Sequence, residues 1–470
     1  MAKVHWLRIS SPHTSGPRLR RYGPGRSRYC RFHAMGGVPE PHSFYRGIRA
    51  VPSGHSLWIG EQGVGHTQPY ASVVEVWRSA SAEIPGPLDG TEFTERIGHA
   101  LRESVAAHRV SDVPVGAFLS AGIDSGALVG LMAESGGGPI QAVTLGFGSF
   151  RRSGADGVPL AEQVALRYGV RGSTVWVSDR EAAEVLPKML ADMDQPSVDG
   201  FNTWLVSKYA AEGGLKVVVS GIRGGELFGG YSHFERLPRW RSRLDRMALI
   251  PGLLAAATAA ARAGRFLGLV HPKAEGLPRY GADMEGLYLV GRGLFMSWEL
   301  VRLVGDDVLR EGLRVLRPPE FIRRALAGNR FGNDHASIAA LEAAFYLRNQ
   351  LFRDSDWASM AHSLELRTPL VDFHLLRELA ALIVRRPPGK SGKLPLAQAP
   401  KPALPEAVVH RPKSGFSLPM ERWVEQSEPL WHWRAHANLQ RDGVSWARRL
   451  AFALLAQAFP DVVVRGQCSA

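Results

Sequence analysis

The stretch that decides the fold of this chain runs from Leu119 to Gly130 and reads LSAGIDSGALVG. An apolar strand pattern (residues 113–120) leads into a Ser/Gly turn, and the turn leads directly into a helical pattern (residues 126–135). Backbone N–H groups at such a helix start, with serine hydroxyls nearby, form a site suited to phosphate oxygens. The carboxylate of Asp124 would repel phosphate unless a divalent metal lay between them, so we expect it to be a Mg²⁺ ligand.

Strand and helix patterns alternate on both sides of this turn. A helix is predicted to start near Thr91, and the pattern beyond about residue 240 is mainly helical. Alternation of this length predicts an α/β fold, with a parallel sheet covered by helices on both faces. The predicted strands are 113–120, 140–147, 173–177 and 216–220, and the predicted helices include 158–168, 181–194, 336–361 and a buried Ala-rich helix at 247–261.

The composition is that of a globular enzyme, with 45% hydrophobic and 21% charged residues. No run of about 18 apolar residues occurs, so we expect no membrane partner. The two cysteines, Cys30 and Cys468, can build neither a disulfide framework nor a cysteine zinc site, which fits a cytoplasmic location. The net charge of +13 comes largely from residues 1–34; without an aromatic-interleaved basic module, we expect no nucleic-acid partner.

Composition divides the chain into five parts. Residues 1–34 are rich in Arg, Pro, Ser and Gly, so we expect a disordered basic segment. Residues 35–78 show short strands and turns, and residues 79–90 have the composition of a linker. Residues 91–425 carry the strand–helix alternation, and residues 426–470 are expected to form a helical tail.

Five sequence blocks follow one another between residues 111 and 423. Together they resemble the synthetase domain of the glutamine-hydrolysing asparagine synthetase family. The resemblance implies an adenine nucleotide alpha hydrolase-like (ATP-pyrophosphatase) fold with a helical C-terminal part. It also identifies residues 35–78, through YRGIRAVPSGHSLW (45–58), as a remnant of the end of a glutaminase domain. The five blocks are SDVPVGAFLSAGIDS (111–125), DQPSVDGFNT (194–203), SGIRGGELFGGY (220–231), RDSDWASMAHSLELRTPLVD (353–372) and RPKSGFSLPMERW (411–423).

The resemblance implies that the chain binds ATP and Mg²⁺, with Asp124 as the metal ligand. The implied catalytic residues are Lys413, Glu365 and Glu226. A lysine with Mg²⁺ suits the charge that develops on the α-phosphorus during adenylation. The implied nucleotide-binding positions are Leu119, Ser120, Gly122, Asp124, Ser125, Val143, Leu145, Ser220 and Gly221, with Gly224 in the same block as the last two.

The fourth block admits a structural reading as well as a functional one. For Glu365 and Arg367 the structural reading is a buried ion pair that frames the cleft. Asp356 can be a surface or capping carboxylate on a helix, and Ser363 belongs to the same block.

Three departures from the family pattern stand out. Ala2 occupies the position where the family's glutaminase has its N-terminal cysteine, so we expect this chain to lack glutaminase activity. Ala121 replaces the middle glycine of the phosphate loop and would cost about 1 kcal/mol if a positive φ were needed there. Arg223 and Gly225 stand where the family has Gly and Asp, so the second metal carboxylate is missing and Glu226 is left as a candidate to reach the metal.

The family reaction adenylates the aspartate side-chain carboxylate with MgATP, and ammonia then gives asparagine, AMP and pyrophosphate. The partners implied are aspartate and ammonia, and the resemblance also allows a separate glutaminase and a homodimer. Two alternatives stay open at this point. One is an amide-forming cyclase of a peptide or natural product, similar to a lasso cyclase or β-lactam synthetase; the other is a catalytically impaired pseudoenzyme, for which Arg223 and Gly225 are the evidence.

Overall fold

A computed structural model describes residues 26–45, 48–61, 63–82, 86, 88–222, 224–301, 303–304, 310, 312, 318–326, 331–387, 392–411 and 418–458. The strands are β1 (His55–Ser56), β2 (Ile59–Gly60), β3 (Gly63–Val64), β4 (Gln68–Pro69), β5 (Val115–Phe118), β6 (Gln141–Phe147), β7 (Arg171–Val177), β8 (Val217–Val219) and β9 (Glu365–Arg367).

The helices of the first half are α1 (Arg26–Met35), α2 (Val73–Ala82), α3 (Gly90–Arg109), α4 (Ile123–Glu134), α5 (Val158–Arg167), α6 (Asp179–Asp192), α7 (Phe201–Glu212), α8 (Gly224–Phe228) and α9 (His233–Ala248). The later helices are α10 (Leu253–Phe266), α11 (Gly276–Tyr280), α12 (Met284–Arg292), α13 (Ser297–Leu300), α14 (Pro318–Ala325), α15 (Asp334–Glu342), α16 (Arg353–Met360), α17 (Phe373–Val384), α18 (Leu394–Gln398), α19 (Glu406–Val409), α20 (Met420–Gln426), α21 (Ala437–Gln440) and α22 (Trp446–Ala458). Short 3₁₀ segments span Gly148–Phe150, Pro369–Val371 and Glu428–Ala435, and a π-helix spans Ala343–Phe352.

The centre of the molecule is a five-stranded parallel sheet with the strand order β7-β6-β5-β8-β9. Neighbouring residues of one strand face opposite sides, as the period of two requires. Ala142 on β6 enters one hydrophobic core, whereas Val143 and Leu145 enter the other. Helices cover both faces, so the predicted α/β fold with a doubly covered parallel sheet is confirmed. The short edge strand β9 was not predicted, because three residues are too few to show a period.

The predicted disordered segment is wrong for residues 26–34, which form most of α1. The aromatic side chains of Tyr29 and Phe32 are completely buried, and Tyr29 packs edge-on against Phe44 with ring centroids 5.5 Å apart. Backbone N–H groups of Leu294 and Phe295 donate to carbonyls at the end of α1. The prediction of disorder rested on the high arginine content of this segment. Its few apolar side chains are nevertheless enough to pack one short helix against a larger core.

Three other expectations need correction. The helix predicted at 247–261 is present as α10, but it has no buried residues and Phe266 at its end is 80% exposed. The predicted linker starts inside a helix, because α2 runs to Ala82 and buries Trp77. Residues 428–458, predicted as a separate tail, pack in the same core as Val143 and Leu145.

Among the described residues, each helix by itself is either too short or too polar to cross a membrane. Within the part of the chain that the structure describes, one pair of helices, α9 and α10, satisfies those criteria when taken together, and the two are bent by 119° at the break between them.

The buried aromatic cluster on α1 makes a stability prediction. Replacing Phe32 by Ala should lower the free energy of unfolding by about 3–5 kcal/mol, because a fully buried ring is lost and a cavity remains. Urea denaturation followed by tryptophan fluorescence measures the change. Trp58→Ala is the control, since that side chain is 82% exposed, and equal effects of the two substitutions would contradict the placement of α1.

Candidate active site

Two serines hold the turn between β5 and α4. The backbone N–H of Ser120 donates to Ser125 Oγ at 3.0 Å, and the two hydroxyl oxygens are 2.9 Å apart. The N–H of Gly122, the N-cap residue, donates to Ser120 Oγ at 3.2 Å, and no side chain caps α4. The first-turn N–H groups of a helix have no partners within that helix. The turn is therefore fixed, and the positive end of α4 faces an uncapped position suited to an anion.

Ala121 fits this turn without backbone strain. Among the described residues, the non-glycine residues with positive φ are Arg152 and Ser363, so Ala121 does not adopt the left-handed conformation. Its methyl group is buried and faces Gly157, where an added Cβ would lie 3.2 Å away. The conformational cost considered for Ala121 therefore does not arise.

Two glycines of the third block pack directly against Asp124. An added Cβ on Gly224 would lie 2.0 Å from Asp124 Oδ1, and one on Gly221 would lie 2.7 Å from the backbone nitrogen of Ser125. Neither position has room for a side chain. The ends of β5 and β8 and the starts of α4 and α8 thus meet around the Asp124 carboxylate, where open parallel sheets bind ligands.

Lys393 is the cation at this carboxylate. Its ammonium donates to Asp124 Oδ2, and both side chains are largely buried. Gly230 makes room for the lysine stem, since an added Cβ there would lie 2.3 Å from Lys393 Cε. Sequence reasoning missed Lys393, because it lies between the fourth and fifth blocks in a segment with no motif; only its position just before the short α18 distinguishes it.

Glu226 and Tyr231 form a buried pair behind the glycine-rich start of α8. Glu226 is almost completely buried, and the Tyr231 hydroxyl donates to its Oε1 at 2.9 Å. Burial, followed by the charge of Glu226, raises the pKa of Tyr231 well above its usual value. Gly225 lies under the ring of Tyr231, where an added Cβ would be 2.8 Å from two ring carbons. The space beside Gly225 is therefore filled by an aromatic ring.

A Mg²⁺ ion fits this site only as a companion of phosphate. No group of three or more His, Cys, Asp or Glu side chains that could hold a metal occurs in the described part of the chain. Asp124 Oδ1 is buried and has no hydrogen-bond partner among the described residues, so it is the oxygen available to a metal. Magnesium is commonly held by one or two carboxylates together with substrate phosphates. The residues present match that arrangement with a single carboxylate.

The other positions predicted to bind the nucleotide lie at the same edge of the sheet. Leu119 donates its N–H to the carbonyl of Val143 at 2.9 Å, directly beyond the end of β5. Leu145 lies two residues past the last β5–β6 pair, so β6 extends beyond its neighbour. Ser220 follows β8 and donates its N–H to the carbonyl of Arg367 at 2.8 Å. These residues and the turn share one edge, and their contacts with a nucleotide stay a prediction.

Glu365 is not brought together with this group. It lies opposite Val217 at the start of β9, its side chain is 59% exposed, and it accepts a hydrogen bond from Arg367 Nε at 2.8 Å. Arg367 Nη1 also donates to the carbonyls of His108 and Val110. The ion pair considered from sequence exists, but its carboxylate is exposed rather than buried.

Two further predicted positions, Asp356 and Ser363, lie at the start of α16 and just after its end. Asp356 lies in the first turn of α16, and Ser363 lies in the turn that follows this helix, at a φ of 54°. Lys413 and Arg223 lie outside the described residues. The catalytic roles predicted for Lys413, Glu365 and Glu226 stay predictions.

The close approach of Gly224 to Asp124 makes a testable prediction. Gly224→Ala should weaken ATP and pyrophosphate binding about 100-fold, because the new methyl group must displace the Asp124 carboxylate. Isothermal titration calorimetry with both ligands measures the change. Gly154→Ala is the matched control, since nothing lies within 4 Å of a Cβ at that position. Unchanged pyrophosphate affinity in Gly224→Ala would contradict the site.

Comparisons with known proteins show which family this sequence is similar to. The family model described as asparagine synthase matches residues 96–457. A Mycobacterium bovis protein named "Putative asparagine synthetase (glutamine-hydrolyzing)" is 31% identical over 409 residues, which cover 84% of this chain and 58% of that protein. Asparagine synthetase (glutamine-hydrolyzing) 1 of Bacillus subtilis is 26% identical, covering 84% and 59%, and amidase chyE of Penicillium rubens is 26% identical, covering 42% and 30%.

The chain thus spans rather more than half the length of the longer-matching relatives. The family match covers most of the chain, including the Ser120–Ser125 turn, the glycine-rich block and the sheet that joins them. On this evidence the chain belongs to the asparagine synthase family.

Proposed function

We propose that this chain is an AMP-forming amide ligase that activates a carboxylate with ATP at the Ser120–Ser125 turn. The carboxylate oxygen attacks the α-phosphorus, the bond to the bridging oxygen breaks, and pyrophosphate leaves. An amine nitrogen then attacks the acyl carbon, AMP leaves, and the nitrogen gives up a proton. The single observation that carries the proposal is the Asp124–Lys393 pair at the uncapped start of α4.

Each part of the turn has a task in this reaction. The N–H groups at the start of α4 bind the phosphate oxygens that become pyrophosphate, and the Ser120–Ser125 hydrogen bonds keep those groups in place. Gly221 and Gly224 let the two helix starts approach each other, so that the phosphates contact backbone from both sides. Such a preorganised set of donors needs no rearrangement as charge develops.

Lys393 supplies positive charge where the second carboxylate of the family pattern is missing. In the free chain its ammonium neutralises Asp124. When phosphate binds, the same ammonium is within reach of the phosphate oxygens, and Asp124 Oδ1 is available to the accompanying Mg²⁺. The metal, held by Asp124 and the phosphates, would withdraw charge from the α-phosphorus.

Glu226 is our candidate for the group that takes the proton from the attacking nitrogen. It is a buried carboxylate hydrogen-bonded to Tyr231, one residue away from the Gly225 backbone that borders the phosphate site. A general base must lie within hydrogen-bond reach of its proton or be connected to it. The Tyr231 hydroxyl provides such a connection.

Aspartate and ammonia are the substrates that the names of the relatives suggest, and asparagine would be the product. The similarity to the fungal amidase favours a second candidate function, in which the chain carries out amide chemistry on another molecule. A pseudoenzyme is the third reading, and the aromatic ring over Gly225 is the observation that favours it.

The products of turnover test the proposal. With MgATP, ammonium chloride and a panel of carboxylates that includes aspartate, turnover should release AMP and pyrophosphate in equal amounts. A coupled pyrophosphate assay with nucleotide analysis by chromatography measures both. ADP as the stoichiometric nucleotide product would refute the proposal, because attack on the α-phosphorus releases pyrophosphate and leaves AMP. The sequence also has no GxxxxGK[ST] phosphate loop.

Lys393→Met should lower the rate of pyrophosphate release about 100-fold, because the cation that faces the phosphates is lost while the stem volume is kept. Lys393→Arg keeps the charge and should recover part of the rate. Mn²⁺ binding to the free chain, followed by electron paramagnetic resonance, should move the other way and tighten in Lys393→Met, since Asp124 loses its ammonium. A slower rate with unchanged Mn²⁺ affinity would show that Lys393 acts elsewhere.

A further inference from the structure

A cavity of about 330 Å³ lies on the far side of Tyr231 from the phosphate turn. Its walls come from the end of α1, the second block, α12, the π-helix and α22. The function proposed above assigns no role to it. The residues used below are Val198, Asp199, Tyr288, Arg292, Phe345 and Tyr346.

Asp199 is the carboxylate of this cavity. It belongs to the block DQPSVDGFNT, and its Oδ1 accepts a hydrogen bond from the N–H of Gly200 at 2.9 Å. Gly200 has a φ of 94°, and an added Cβ there would lie 2.6 Å from the ring of Trp357, so only glycine fits. This turn fixes the carboxylate at the cavity wall. Burial raises the pKa of Asp199, whereas the Gly200 N–H, the charge of Arg292 and a hydrogen bond from the Tyr346 hydroxyl act in the opposite direction. Among the described residues its carboxylate forms no direct ion pair.

The neighbouring arginine is already neutralised. Arg292 donates from Nη2 and Nε to Glu342 Oε2 at 2.7 and 3.2 Å, and its guanidinium lies 3.6 Å from the ring centroid of Tyr346. A second buried carboxylate, Asp354, is close enough to Asp199 that the two disfavour each other's charge, and burial raises the pKa of Asp354 to about 7. Asp354 Oδ1 in turn lies 3.9 Å from Nε of Arg353. Three carboxylates therefore face two guanidinium groups here, and the balance of formal charge at the Asp199 wall is negative.

One buried hydroxyl at this wall lacks a well-formed hydrogen bond within the described residues. Tyr288 is completely buried beside Arg292, yet its hydroxyl makes no well-formed hydrogen bond in the part of the chain that the structure describes. A buried hydroxyl without such a bond is costly, and a ligand that donates a hydrogen bond would remove the cost. The rest of the lining includes apolar side chains, Val198 and Phe345 among them.

We propose that this cavity binds a primary ammonium group on an apolar stem, with the ammonium at Asp199. A protonated amine supplies the missing positive charge and up to three donors for the Asp199 carboxylate and the tyrosine oxygens. The apolar lining accepts the stem. An anion is disfavoured, because the wall carries negative charge and Arg292 is engaged by Glu342.

The position of the cavity suggests that its ligand is the amine substrate of the amide-forming reaction, an inference that rests on the proposed function. Tyr346 packs edge-on against Tyr231 with ring centroids 6.1 Å apart. Tyr231 in turn contacts Glu226 and the backbone at Gly225. The rings of Tyr346 and Tyr231 therefore connect the cavity wall to the glycine-rich backbone beside Lys393. The nucleophile is then an organic amine rather than ammonia alone. Its ammonium form gives one proton to the Asp199 carboxylate before the nitrogen attacks the acyl carbon, and the nitrogen loses a second proton after the new bond forms.

Direct binding without ATP tests the cavity. We expect the full chain to bind n-butylammonium in calorimetric titrations and to bind the isosteric butanol and butyrate at least about 10-fold more weakly, as a charge-assisted hydrogen bond predicts. Asp199→Asn should weaken n-butylammonium binding by about the same factor, while still accepting the Gly200 hydrogen bond. The control Asp334→Asn removes an exposed carboxylate paired with Arg241 and should change nothing.

Equal affinities for butylammonium and butanol, or an Asp199→Asn variant that binds as the parent does, would overturn the assignment. Circular dichroism checks that each variant is folded. Should Asp199→Asn fail to fold, Asp199→Ser replaces it, since it keeps a short polar side chain and removes the negative charge; it should lower butylammonium affinity at least about 10-fold, and an unchanged affinity counts against the cavity.

The two proposals fail separately. Butylammonium binding at Asp199 without pyrophosphate release from any carboxylate leaves the cavity in place and removes the ligase. Pyrophosphate release with ammonium chloride, unaffected by Asp199→Asn and accompanied by no butylammonium binding, leaves the ligase in place and removes the cavity's role.

Discussion

The attraction between the Asp124 carboxylate and the Lys393 ammonium organises the carboxyl edge of the sheet. A carboxylate in the first turn of α4 is favoured by the positive end of the helix, and a buried one needs a counter-charge. The lysine that provides it comes from a segment roughly 270 residues away in sequence. Three glycines clear the space for these two side chains: Gly221, Gly224 and Gly230. The pair therefore joins the two glycine-rich turns and the C-terminal helices into one site.

Much of the fold followed from the sequence because its signals are local. Strands β5 to β8 are short apolar runs between turn residues, and the alternation of strand and helix indicates a parallel sheet whatever the distant contacts are. The docking of α1 could not be predicted in this way. Its arginines dominate the composition, whereas its burial depends on Phe44, Phe295 and the last helix, which lie elsewhere in the chain.

In the candidate site, too, residues that are adjacent in sequence were predictable, and residues that come from distant segments were not. Ser120, Gly122, Asp124 and Ser125 lie in one contiguous turn, so their grouping was predictable. Lys393 was not, because a single lysine without a motif acquires its meaning only from the carboxylate it meets. The exposed position of Glu365 was equally hidden, since strand register decides which end of β9 a residue occupies.

The ring of Tyr231 over Gly225 has a consequence for how this site responds to substitution. A side chain at position 225 would begin within 2.8 Å of ring carbons of Tyr231, so a residue larger than glycine there must displace the ring or the backbone. The same ring carries the hydroxyl that donates to Glu226, so a change at position 225 also alters the surroundings of the buried carboxylate next to it. The effects of substitutions at positions 225, 226 and 231 are therefore coupled, and the effect of a combined change does not follow from adding the single ones.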